Sequence, residues 1–215
     1  MIYTFAVYAL PILLAITLHE AAHAYAAKYF GDLTAYQQGR MSLNPIRHID
    51  PFGTILIPVV LFFVGSPFIF GYAKPVPVDF GRLRKPKRDM AWVALAGPAA
   101  NLLMAFLWLV LSVILHRVHI EGEYLLRVAG AGVTTNLVLF AFNLFPLPPL
   151  DGGRIVVSLL PYRLAYSFSQ IERYGFFIVL VLAYFRVIHF WMVPVMLGAN
   201  TLLQLLVSPL NLLLR

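Results

Sequence analysis

The chain has 215 residues, 61% hydrophobic and only 12% charged, with a formal net charge of +7 and a mean hydropathy of +0.83. A soluble domain carries roughly 45–50% apolar and about 25% charged residues, so a soluble class is excluded and an integral membrane protein indicated. Cysteine is absent, which rules out disulfides and thiolate ligands and leaves His, Asp and Glu to hold any metal.

The positive balance does not point to nucleic acid. The basic residues cluster beside apolar runs, where retention of positive loops in the cytoplasm accounts for them. No repeat or low-complexity tract is present, and the polar stretches 31–51 and 72–90 are too short for a core of their own. The chain reads as one integral-membrane domain over 1–215. Its core covers about 1–160, and two further helices fill 161–215.

The first element is a helix over about 2–29, opening "MIYTFAVYALPILLAITL". No Lys or Arg precedes the run and no small-residue cleavage site follows it. It is therefore expected to remain as a span with its N-terminus outside. Its end, "LHEAAH", places His19, Glu20 and His23 in apolar surroundings. Positions i and i+4 share one helix face, so His19 and His23 present two imidazoles to one point, and each neutral ring offers a lone pair to Zn2+. Glu20 falls beside such a metal, where a carboxylate takes a proton from the attacking water and passes it to the leaving amine. The alternative is three buried polar residues satisfied by neighbouring helices. The cost of an intramembrane glutamate, roughly 2–3 kcal/mol on insertion scales, favours function.

Next comes "PFGTILIPVVLFFVGSPFIFGYAKPVPV", interrupted by Pro51, Pro58 and Pro67 and by Gly53, Gly65 and Gly71. Residues 52–70 form either a re-entrant hairpin or a sixth span. In the loop before it, His48 reads as bonded to nearby backbone, with reach into the site as the alternative. The basic run "GRLRKPKRD" after it is a topology determinant, or alternatively a contact for anionic lipid.

A helix over 89–115 carries "GPAAN", in which Gly97, Pro98 and Asn101 read as close helix packing, a functional Asn101 being the alternative. A helix over 126–145 follows, broken by "NLFPLPPLDGGRI". Prolines 146, 148 and 149 force an extended path there, and Asp151 precedes Gly152 and Gly153. Asp151 is either the N-cap of a new helix or a third metal ligand, and the histidine pair favours the ligand. Helices over about 171–187 and 190–208 complete the chain. His116, His119 and His189 sit at predicted helix ends and are assigned no chemistry.

Direction decides the hairpin. If 52–70 spans, the first helix and the 126–145 helix run oppositely and their C-terminal ends face different sides. If it re-enters, His19, His23 and Asp151 converge on one side, and the basic loop 72–90 becomes cytoplasmic, as its charge prefers. The expected fold is an all-α polytopic membrane protein of about five spans plus a re-entrant hairpin, with Arg215 inside. Six spans are the alternative.

"HEAAH" (19–23) and "NLFPLPPLDGG" (143–153), with "GPAAN" (97–101) between them, resemble the signatures of the site-2 protease family of intramembrane zinc metalloproteases. "LNPIRHIDPFGT" and "AKPVPV" further resemble its short, prokaryotic-type members without a PDZ insertion. The likeness implies that His19, His23 and Asp151 bind one Zn2+, with Glu20 as general base and acid. It also implies an Asn143 near substrate or oxyanion, although read alone Asn143 is an interhelical hydrogen bond. The implied activity is cleavage within or near a transmembrane segment of another membrane protein. The implied place is a prokaryotic cell membrane, with the active site towards the cytoplasm. The implied partners are a transmembrane protein or peptide substrate and the lipid bilayer. A transporter or metal permease would use the same residues as a mid-membrane site, but it should show inverted repeats, which the sequence lacks.

Overall fold

A computed structural model describes residues 2–64, 74–118 and 123–213. Among the described residues it is helical and holds no strand: α1 (Ile2–Phe30), α2 (Thr34–Gln37), α3 (Ile57–Phe63), α4 (Pro86–Arg117), α5 (Glu123–Asn143), α6 (Asp151–Leu159), α7 (Tyr162–Ser169), α8 (Glu172–Tyr184) and α9 (His189–Leu213). Four of these, α1, α4, α5 and α9, are long and apolar enough to cross a bilayer. The protein is an all-α, multi-pass membrane protein.

The inner bundle is built from α1, α4 and α5. Ala15, Ala21, Ala24 and Ala27 of α1 are at most 2% exposed, and such small residues let membrane helices approach closely. Val7, Trp108, Leu115, Val128, Ala129 and Ala131 join the three helices away from the polar end. Ala105, Leu137, Ala199 and Leu203 add α9 to the outer side of α4 and α5.

The C-terminal region departs from the reading of 171–187 as a span. α8 has 13 residues. At 1.5 Å per residue it reaches about 20 Å, short of the roughly 30 Å hydrocarbon layer. It starts only after the turn at Gln170–Ile171 and ends before Arg186, whose φ of 58° stops the helix. Hydropathy sees one apolar run there, and only the backbone shows how little of it is continuous helix.

The stretch after α1 bears on the hairpin. Asp50 caps a π-helical turn over Pro51–Leu56, which continues into α3. The N–H of Lys74 then donates to the carbonyl of His48 at 2.9 Å. The described residues His48 and Lys74 on either side of that stretch thus lie together. Residues 65–73, which take in the last part of the hairpin expected over 52–70, lie outside the described residues, as does Arg215. From Lys74 to Asp79 the chain runs as an irregular strap across the end of α1. Arg40 donates to the carbonyls of Lys74 and Pro75, and Asp32 accepts the N–H of Asp79.

Two predictions follow from these contacts. In this cysteine-free chain, Leu43→Cys and Lys85→Cys should both be shielded from a membrane-impermeant reagent applied outside intact cells; labelling of only one would show that the intervening segment crosses. Burial pushes the Asp32 carboxyl up. Hydrogen bonds from the Thr34 hydroxyl, Thr34 N–H and Asp79 N–H, with Arg82 nearby, outweigh this and hold it below the usual carboxylate range. Its stabilisation is therefore complete above the unfolded value of about 3.9 and lost as pH falls through the lower folded value. Thermal melts of Asp32→Asn should show lower stability near neutral pH and a flatter acid limb than wild type.

Candidate metal centre

His19 and His23 lie one turn apart on α1, with ring centroids 4.6 Å apart. Each ring is oriented by its Nδ1. That of His23 meets the backbone carbonyl of Val93 at 2.7 Å, and that of His19 meets Oδ1 of Asn101 at 2.6 Å. Both partners are acceptors, so an Nδ1–H on each ring would satisfy them and leave each Nε2 free for a metal. The two Nε2 atoms are 3.1 Å apart.

Asp151 completes the cluster. It is the first residue of α6, not the cap before it, which is Leu150. Its Oδ2 lies 3.3 Å from each Nε2, is buried, and has no hydrogen-bond partner. Three potential metal donors thus converge on one point. Tetrahedral donors at about 2.0–2.1 Å from zinc stand roughly 3.3 Å apart, which is the spacing found here. Two imidazoles and a carboxylate are a zinc donor set that leaves a fourth position for water. The residues fit Zn2+.

The glycines around the cluster are there for space. A Cβ on Gly97 would sit 2.3 Å from Nε2 of His23, so α4 can lie against the histidines only through glycine. A Cβ on Gly152 would meet the Leu144 carbonyl oxygen at 2.2 Å, and one on Gly153 the Pro148 nitrogen at 2.1 Å. The broken segment 144–150, which contains a cis Pro148–Pro149 bond, therefore folds directly onto the start of α6 and turns Asp151 inwards.

Glu20 is not among the three clustered donors. Its Oε2 accepts the N–H of Val76 at 2.7 Å. Pro75 and Pro77 have no N–H, so Val76 offers the only backbone donor in that tripeptide, and it goes to Glu20. The Val76 side chain packs between Ala24 and Ala35. Asn143, the last residue of α5, donates its amide back to the Leu139 carbonyl. His48 is 2% exposed and bonds the Ser42 carbonyl through Nε2, which is the loop role read from the sequence.

Asn101, read from the sequence as close helix packing with a functional role as the alternative, is buried between helices with its side chain bound to His19. The Val93 carbonyl and the Val76 amide were not foreseen, and as backbone groups they leave no residue-type signal. Asn136 was also passed over, and it donates to Gly132 and accepts from Asn101. Its signal was available, as a lone amide side chain within an apolar span.

Comparison with known proteins agrees with this centre. The model of "Peptidase family M50" matches residues 119–185, which include Asp151. A Bacillus subtilis protein named "Putative zinc metalloprotease YwhC" is 44% identical over 80% of this chain and 77% of its own length. "Putative zinc metalloprotease Rip2" of Mycolicibacterium smegmatis is 32% identical over 83% of this chain and 67% of its own. An archaeal relative, "Putative zinc metalloprotease MJ0611" of Methanocaldococcus jannaschii, is 28% identical over 64% of this chain and 62% of its own. No solved structure matches. With two distant motifs folded into one zinc-type donor set, and relatives aligned over most of its length, the chain belongs to peptidase family M50, the site-2 protease type of zinc metalloprotease.

Proposed function

We propose that this protein hydrolyses a peptide bond within or beside a transmembrane segment of another membrane protein, in regulated intramembrane proteolysis. His19, His23 and Asp151 hold the metal, and Glu20 is general base and then general acid. The observation that carries this reading is the convergence of the three donors at 3.1–3.3 Å. Two of them, His19 and His23, lie on a membrane-length helix, with His19 about 25 Å along α1 from its start.

When bound, zinc supplies Lewis acidity that lowers the pKa of a water and polarises the scissile carbonyl. The protein's own groups do the rest. Glu20 takes the proton of the attacking water and returns it to the leaving amine. The Val76 N–H holds one of its carboxylate oxygens, which leaves the other to meet the water. Asn101 and the Val93 carbonyl keep the rings in place throughout. A helical substrate hides its carbonyls in its own hydrogen bonds and must unwind first. Segment 144–150 offers irregular backbone for such a segment to pair with. Asn143, next to that segment, is placed to contact substrate or the oxyanion once its amide leaves Leu139. The basic loop before α4 orients the site towards the cytoplasm of a prokaryotic cell membrane.

Glu20→Gln should keep stoichiometric zinc and lose at least about 100-fold in cleavage of a single-span substrate. Cleavage near the wild-type rate would remove the general-base role. Asp151→Ala takes away a direct ligand and should weaken zinc by more than the roughly 10–100-fold typical of outer-shell changes, as read by chelator competition. Unchanged affinity would return Asp151 to a helix-start role. Gly97→Ala should displace His23 and lower zinc content. Gly130→Ala, whose added methyl meets nothing within 4 Å, should leave it unaltered.

A further inference from the structure

We propose that Asn136, on α5 and outside the donor cluster, fixes the tautomer of His19 through Asn101, so that both amides act as positioning residues for the metal. The inference rests on His19 being a zinc ligand, and it concerns what sets the lone pair of that ligand.

The chain of contacts is short and directional. His19 Nδ1 meets Asn101 Oδ1 at 2.6 Å. Asn101 Nδ2 donates to the Ala15 carbonyl at 3.3 Å and to Asn136 Oδ1 at 3.0 Å. Asn136 Nδ2 donates to the Gly132 carbonyl at 2.9 Å. Asn101 and Asn136 are both 0% exposed, so no water takes the place of any partner. Backbone carbonyls only accept. Gly132 therefore forces Asn136 to point its NH2 down its own helix and its oxygen at Asn101. That oxygen, with the Ala15 carbonyl, forces Asn101 to turn its NH2 away from His19 and its oxygen towards it. A flipped Asn101 would set its oxygen against two acceptors at once, and a flipped Asn136 would set its oxygen against Gly132. The proton on His19 is left one place, Nδ1, and Nε2 must present its lone pair.

The two histidines reach this state differently. His23 is set in one step by the Val93 carbonyl of α4. His19 faces α4 where a side chain, not a carbonyl, meets it, and a side-chain amide has no inherent direction. The second amide, anchored on α5, supplies that direction. A merely structural Asn136 would join α4 to α5 and leave the His19 ring indifferent to its loss.

The test uses full-length protein in detergent, with nitrogen-15 histidine for NMR of the metal-free form and chelator competition for zinc. The His19 signals are identified by their loss in His19→Ala. Wild type should show His19 protonated at Nδ1 alone. Asn101→Leu should release the ring into mixed tautomers and weaken zinc by roughly 10–100-fold. Asn136→Leu should do the same to a smaller extent, and the double variant should be no worse than Asn101→Leu. Asn136→Asp keeps an oxygen facing Asn101. As the neutral acid it also donates to Gly132, so it should hold the wild-type tautomer and affinity within about threefold. It also serves if Asn136→Leu does not fold. A single Nδ1–H tautomer and unchanged zinc affinity in Asn136→Leu would overturn the proposal, as would Asn136→Asp behaving like Asn101→Leu. If wild type shows the fixed tautomer yet binds no zinc, the metal-site reading fails and the relay stands.

Discussion

The convergence of Nε2 of His19, Nε2 of His23 and Oδ2 of Asp151 on one point is the constraint around which the membrane bundle is arranged. In an apolar interior such a cluster has lost its water, and a bound cation would take the place of that water. Bringing the donors together requires α1 to present one face to α4 without a side chain between them, which Gly97 allows. It also requires the chain after α5 to double back onto α6, which the prolines and glycines of 144–153 allow. The long helices are ordinary membrane helices. What is particular is how their polar ends are brought into register.

Positioning extends outwards from the donors in the same way. Each ring is held at its second nitrogen, one by a carbonyl and the other by an amide that is itself held. The carboxylate of Glu20 is held by the single amide of Pro75–Val76–Pro77. That strap is tied down at one end by Arg40 and the His48 carbonyl and at the other by Asp32. The polar residues of the α1–α4 connection thus serve the metal centre at one remove. They place a backbone donor against the Glu20 carboxylate, and the rigidity of that donor comes from contacts up to 47 positions apart in the chain.

Much of this was legible in the residues. The membrane class followed from composition, and α1, α4, α5 and α9 from their apolar runs. The pairing of His19 with His23 came from helical spacing. Asp151 as the third donor came from a carboxylate placed after a proline-broken helix. The length of α8 was not legible, because hydropathy averages over residues whose backbone leaves the helix. The contact of Asn101 was hidden because a buried amide between helices looks the same in sequence whether it binds a backbone or a histidine ring.

By itself, then, the sequence determined the solvent of this protein, its long helices and the chemical identity of its donors, since these depend on residue type and on spacing within one element. Only the tertiary structure decided which backbone carbonyl or amide orients each of those donors. It also decided that Asn136 lies behind Asn101, and that residues 48 and 74 meet. These are contacts between elements far apart in the chain. They depend on where helices cross and where carbonyls point, and no local pattern of side chains carries that information.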